Sequence, residues 1–224
     1  MSDLANALDK DTITKAYARW APVYDLVFGA VFDAGRKASI AAAERIGGRI
    51  LDVGIGTGIS LVDYSEPMLR KAHERIGEHN LDHVEALAVM DAQRLAFADG
   101  CFDAVVAQYV ITTVPDPEAA LDEFVRVTRL GGEIILVNHL GAESGLRRAL
   151  EHGFAPLGRR LGWRPEFRWE RLAKWAARHG GVRVLERRPM PPLGHFSLIR
   201  FERVANTTAD YRFCTAQSSL PKSR

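Results

Sequence analysis

The sequence predicts an α/β fold, a mostly parallel sheet with helices on both faces and an antiparallel last strand. Three observations point there. Short apolar segments alternate with helical-period segments along most of the 224 residues, which is the pattern of strands joined by crossover helices. Residues 102–108, Phe-Asp-Ala-Val-Val-Ala-Gln, are almost continuously apolar, as in a parallel strand covered on both faces. Residues 50–58, Ile-Leu-Asp-Val-Gly-Ile-Gly-Thr-Gly, read as a strand entering a glycine-rich turn.

The length suits one domain with an appendage, and a hydrophobic fraction of 47% supplies a core. The organisation expected is an amphipathic helical cap over 1–35, the main domain over 36–204 and an irregular polar tail over 205–224. In the cap, Ile13, Tyr17, Trp20, Tyr24, Val27, Phe28 and Val31 recur at helical spacing, with a break near Pro22. Lys15 and Arg19 lie among them, and aromatic plus basic residues on such a helix suit a membrane interface. The same face also suits simple packing on the domain.

A helix over 36–46 is stopped by Gly47-Gly48, and Arg49–Val53 follows as the first strand. Ser65-Glu66-Pro67 looks like a helix start, with Ser65 as cap, and that helix runs to about Gly77. Residues 84–90 form a strand ending at Asp91, and 102–108 the next. Residues 116–129 form a helix stopped by Gly131-Gly132, and 133–138 another strand. Basic helices follow over 142–157 and 166–179, then a closing pair of strands over 182–187 and 198–204. Residues 189–194, Pro-Met-Pro-Pro-Leu-Gly, are expected to be a loop, because three prolines remove ladder donors.

Charge is uneven. Residues 1–139 carry 13 Lys and Arg against 21 Asp and Glu, and residues 140–224 carry 17 against 7. A basic half can face an anionic surface, or place its arginines on solvated helix faces. Cys101 and Cys214 make neither a metal spacing nor a disulfide framework, which fits a reducing compartment. No metal site is expected. No apolar run reaches a membrane span, and with Asp3 and Asp9 near the start no secretion signal is expected.

The glycine turn carries the chemistry. Glycines at 54, 56 and 58 let the backbone approach a ligand closely. Asp52 beside them would repel a pyrophosphate but suits a positive amino group or sulfonium, and the Gly-x-Gly-x-Gly spacing differs from the dinucleotide Gly-x-Gly-x-x-Gly. Both favour S-adenosylmethionine. Asp63 can accept both ribose hydroxyls, Met68 can pack on adenine, and Asp91 beside Ala92 can accept the adenine amino proton. Thr57, Tyr64, Ser65, Gln93 and Gln108 complete the candidate cofactor-binding set.

One spacing is abnormal. Only Ile59, Ser60, Leu61 and Val62 separate Gly58 from Asp63, whereas a parallel crossover needs roughly a dozen residues. The second strand is therefore expected to be shortened or missing, with a gap beside the first strand or the third sliding in, and cofactor binding to be weak.

These residues resemble the class I S-adenosylmethionine-dependent methyltransferases and, within them, bacterial phosphatidylethanolamine N-methyltransferases. The resemblance spans about residues 10–204 and rests on 17–28, 52–58, 63–69, 108–117, 131–139 and the 188–194 loop. It implies a Rossmann-like methyltransferase fold and repeated methyl transfer to the ethanolamine amine, toward phosphatidylcholine. It also implies a peripheral enzyme on the cytoplasmic face of the membrane. The amine must be neutral to attack, so His139, at a strand's C-terminal edge, is the candidate base. Tyr24 is the second catalytic candidate, placed over the cofactor where its ring can line a cation pocket. Tyr17, Tyr109, Arg187, Arg188 and Met190 are the candidate substrate contacts, the arginines for the lipid phosphate. A quinone-precursor methyltransferase and a non-catalytic lipid-binding relative are the alternatives. A nucleic-acid substrate is disfavoured, because Gln108-Tyr109-Val110-Ile111 stands where an Asn/Asp-Pro-Pro-Tyr motif would. Nothing in the sequence sets the oligomeric state.

Overall fold

The computed structural model describes residues 32–54, 62–63, 70, 73–74, 76–78, 84–141, 167–191 and 194–205. Their strands form one seven-stranded sheet in the order β3-β2-β1-β4-β5-β7-β6. The strands are β1 (Ile50–Val53), β2 (Val62–Asp63), β3 (Ala88–Val89), β4 (Phe102–Gln108), β5 (Thr128–His139), β6 (Val182–Met190) and β7 (Phe196–Arg203). β1 to β5 run parallel, and β7 and β6 are antiparallel to their neighbours. The expected class is observed.

The strand pleat sorts the core into two layers. Leu51, Val53, Val105, Ala107, Ile134 and Leu136 point to one face, where helices α3 (Pro117–Val127) and α4 (Trp169–His179) bring Leu121, Phe124, Leu172 and Trp175. Ile50, Val106, Ile135 and Val137 point to the other, against Ala42, Ala43 and Ala38 of helix α1 (32–46). Two-sided cover is why β4 is apolar without alternation. α1 begins at or before residue 32, so it runs through the boundary drawn at 35/36. The described residues between 70 and 78 are helical and form α2.

α3 starts where its sequence says it should. Asp116 is the N-cap, its carboxylate accepting from Ala119 N at 3.1 Å, and Pro117 follows in the first turn. The helix ends at Val127, two residues earlier than expected, because Thr128 already pairs with Phe102. Gly131-Gly132 are not a helix stop. They lie in β5, where the pairing shifts register between Phe102 and Ala104.

Two further expectations are corrected. Pro189 and Met190 are not loop but the end of β6, paired with Ser197 and Phe196. β6 is the edge of the sheet, where a proline can be accommodated without breaking a ladder on both sides. The third strand is also much shorter than 84–90, with only Ala88 and Val89 paired.

The second strand is present and reduced to two residues. Val62 pairs with Val53, the last residue of β1, and Val62 and Asp63 pair with Ala88 and Val89. On that side of β1 only Val53 is paired, and Ile50–Asp52 have ladder partners among the described strands only in β4. The short step is tolerated because β2 starts level with the end of β1, so the chain need not travel back along the sheet.

Candidate functional site

The C-terminal ends of β1, β4 and β5 lie side by side, the edge at which open α/β sheets receive ligands. Asp52 shares its face of β1 with Ile50, Gln108 its face of β4 with Val106, and His139 its face of β5 with Val137. The pleat thus turns three sequence-predicted residues toward the α1 side of the sheet.

Beyond β1, Gly54 has φ +85°, and a Cβ there would meet Val110 Cγ2 at 2.0 Å. Glycine is required both by the backbone and by the close approach of the turn after β4. Beyond β4, Tyr109 also adopts a left-handed conformation, φ 63°, which is uncommon for an aromatic residue. Three contacts hold it. Its N–H donates to Val137 O at 2.6 Å, its hydroxyl donates to Phe32 O at 3.2 Å, and its ring lies 4.2 Å from that of Phe32. Gly35 makes room, since a Cβ there would sit 2.6 Å from the Tyr109 hydroxyl. Burial pushes the Tyr109 hydroxyl well above the usual phenol range, so it is a donor and an aromatic surface, not a base.

At the end of β5, His139 pairs with Phe196 of β7, which pairs in turn with Met190 of β6. The His139 ring is tilted against that of His195, 4.5 Å between ring centroids. Phe196 presents its edge to Tyr109 at 5.4 Å. An aromatic wall of Phe32, Tyr109, Phe196, His139 and His195 results. His195 and Phe196 were missed in the sequence, and nothing in their local pattern marks them. Asn138 was also passed over as a site residue. It is 1% exposed, its Nδ2 donates to Thr112 Oγ1 at 3.3 Å, and its Oδ1 is buried without a hydrogen-bond partner among the described residues. Its signal was available: a single polar residue ending the apolar run 134–137.

After β3, Asp91 Oδ1 accepts from both Gln93 N and Gln93 Nε2 at 3.0 Å. Gln93 Oε1 accepts from Asp116 N at 2.9 Å. Ala92 is buried in the α3 side of the core, so its side chain serves packing. Asp63 reaches the same region through the backbone of β2.

Of the candidate lipid contacts, Tyr109 and Met190 join the α1-side core, whereas the two arginines do not come together. Arg187 and Arg188 are successive strand residues and point to opposite faces. The Arg187 guanidinium lies 4.8 Å from the Trp169 ring centroid, while Arg188 Nε donates to Glu186 at 2.9 Å. Met190 is buried against the α1 layer. Other arginines of the basic half also have internal partners. Arg171 meets Glu118, Arg183 meets Glu202, and Arg200 meets Glu133 and Glu186. For Glu186 burial pushes the carboxyl up, but Arg200 and Arg188 outweigh it and hold it below the usual range. Tyr17, Tyr24, Gly56, Thr57, Gly58, Tyr64, Ser65 and Met68 lie outside the described residues. No group of His, Cys, Asp or Glu among the described residues is arranged to hold a metal, and no helix among them is long and apolar enough to cross a membrane.

Residues 51–136, which contain the ends of β1 and β4, match the family model described as a methyltransferase domain. The chain is 38% identical to the phosphatidylethanolamine N-methyltransferase of Cereibacter sphaeroides, over 88% of this chain and all of that one. The chain belongs to the class I S-adenosylmethionine-dependent methyltransferases. This methyltransferase is also 33% identical to the demethylmenaquinone methyltransferase of Thermobifida fusca, over 70% of each chain. Its fold resembles that of a SAM-dependent methyltransferase of Thermotoga maritima, with a TM-score of 0.63, 23% identity, and coverage of 85% of this chain and 99% of that one.

S-adenosylmethionine is the cofactor. The methyltransferase's described residues fit it. At Gly54 the missing side chain makes room for Val110 of the turn after β4, and the Asp52 carboxylate beside that turn, its Oδ1 buried, complements a cationic group. Asp52, the Gly54 turn, Asp63 and Asp91 are the residues that would hold it.

Proposed function

We propose that this methyltransferase acts on the amine of phosphatidylethanolamine and its mono- and dimethyl forms, toward phosphatidylcholine. It works as a peripheral enzyme on an anionic membrane surface at the cytoplasmic face. The observation that carries this reading is the 38% identity to a phosphatidylethanolamine N-methyltransferase across that protein's whole length. The aromatic wall around His139 supports it, because an amine that becomes quaternary is accommodated by ring faces.

When bound, the cofactor supplies an electrophilic methyl on a sulfonium sulfur. The chain's own residues deal with the amine. An ammonium has no lone pair, so a proton must leave before attack. His139 receives it at Nε2, the ring nitrogen buried at the end of β5. Tyr109 stays protonated and contributes its ring, and its fixed backbone holds the turn after β4 against Val137. Positioning of the amine supplies the rest.

A quinone-precursor substrate is the second reading, favoured by the 33% identity to a demethylmenaquinone methyltransferase. Incubation with methyl-labelled cofactor, phosphatidylethanolamine vesicles and a soluble demethylated quinol separates the two. Label in mono-, di- and trimethylated lipid is the expected result, and label in the quinol alone would overturn the lipid assignment. His139→Gln is expected to lower kcat by about 10²–10⁴-fold and to remove the acidic limb of its pH profile, with cofactor affinity kept. An unchanged pH profile would remove His139 from the proton step.

A further inference from the structure

Gln93 stands between the two loops that meet at the ligand edge. The loop after β3 contains Asp91, and the loop after β4 runs from Tyr109 to the α3 cap at Asp116. The side chain of Gln93 uses both ends of its amide. Nε2 donates to Asp91 Oδ1 at 3.0 Å, and Oε1 accepts from Asp116 N at 2.9 Å. The amide orientation is dictated by these partners. Reversed, its oxygen would face a carboxylate and its NH2 would face a backbone N–H. The backbone N–H of Gln93 also donates to Asp91 Oδ1, so one carboxylate oxygen receives two donors and the plane of the group is set. Asp116 is itself fixed, because its side chain caps α3. A rigid path therefore runs from α3 through Gln93 to Asp91.

We propose that Gln93 is a positioning residue of the cofactor site, which holds the Asp91 carboxylate in the orientation that reads the adenine amino group by anchoring it to the start of α3. Gln93 does not itself touch the cofactor. The proposal rests on the S-adenosylmethionine reading of this edge, with Asp91 at the adenine, and it refines that reading by naming what makes the acceptor selective. A carboxylate free to rotate still accepts a hydrogen bond from an amino group but distinguishes it poorly from a ring that lacks one.

The test is calorimetric titration of the full chain with S-adenosylhomocysteine and with its inosyl counterpart, which carries a 6-oxo group in place of the 6-amino group. The wild type is expected to prefer the adenosyl ligand. Gln93→Leu, and Gln93→Glu at pH 7, are expected to shrink that preference about tenfold, the scale of a charge-assisted hydrogen bond. Gln93→Glu keeps the acceptor for Asp116 N but loses the donor to Asp91. As pH falls, the Glu–Asp91 pair shares a proton and regains a donor, so the preference returns. A merely structural Gln93 would give no such recovery. Equal losses for both ligands, an unchanged preference, or a flat pH profile for Gln93→Glu would overturn the proposal. A wild type that binds the adenosyl ligand without preferring it overturns it as well. A wild type that binds neither ligand overturns the cofactor reading beneath it, so the two failures are distinguishable.

Discussion

On one side of β4, β5 and β7 stay paired from Glu133 with Glu202 to His139 with Phe196, and β6 extends the ladder from Val182 to Met190. On the other side β2 touches β1 through one pair, Val53 with Val62, and touches β3 through two. The antiparallel half also buries Phe196, Leu198, Ile199 and Phe201 completely or nearly so, whereas Val89 of β3 is 57% exposed. Strand pairing is thus uneven across the sheet, and the candidate site draws on both halves. The well-paired half fixes His139 and the aromatic wall. The thin half carries Asp63 and leads into Asp91, and ligand-facing elements are commonly drawn from the less stable parts of a fold.

The largest effect that can break this comparison is a core truncation in each half. Phe201 is fully buried and meets Trp175 edge to face at 5.6 Å. Phe201→Ala is expected to cost about 3–5 kcal/mol, and Val89→Ala less than about 0.5 kcal/mol, both read from denaturant unfolding. Comparable losses would show that β3 is as much a part of the stable core as β7.

Ligand binding sharpens the same contrast. Binding to the folded state alone adds about 2.7 kcal/mol at a ligand concentration of 100 times Kd. With S-adenosylhomocysteine, hydrogen exchange is expected to slow in 50–54 and 88–94 and to change little in 196–203. The affinity itself is expected to be weaker than micromolar, since the step from Gly58 to Asp63 leaves β2 only two residues. Micromolar binding by calorimetry would show that two residues are enough to present Asp63.

Much of this was legible in the sequence. Continuous apolarity placed β4 to the residue, because a doubly covered strand has no alternation to misread. Asp116-Pro117 placed the start of α3, because capping chemistry is local. What failed was set by partners far along the chain. Pro189 was read as a loop residue since proline lacks a donor, yet only the position of β6 at the edge decides whether that matters. Gly131-Gly132 were read as a stop, although Thr128 had already paired with Phe102. In the candidate site, Asp52, Gln108 and His139 share one face of the sheet because each lies at or next to the end of a recognisable strand. Gln93 was counted in the candidate cofactor set, and its tie to Asp116, 23 residues away, is invisible locally. Arg187 and Arg188 were paired by adjacency, whereas the pleat separates neighbours.

The smallest effect probes how the loop on the thin side is held to α3. Arg126 donates to Glu123 Oε1 at 2.7 Å, to Asp99 at 2.7 Å, and to the carbonyls of Phe97 and Leu95 at 2.8 and 2.9 Å. Glu123 Oε2 accepts from Leu95 N at 2.8 Å. The hydrogen bond from Arg126 is the main reason the Glu123 carboxyl lies below its ordinary 4.5; burial opposes it and Leu95 N assists. A carboxyl depressed in the folded state stabilises fully above its unfolded pKa, and the contribution is lost as pH falls through the folded one. Glu123→Gln retains an acceptor for Leu95 N and removes the charge. It is expected to cost about 1 kcal/mol at pH 7, with the gap to wild type closing as pH falls below about 4.5. Thermal unfolding between neutral and acid pH reads this directly. A gap that stays constant with pH would mean that hydrogen-bond geometry, not charge, ties the 95–99 segment to α3.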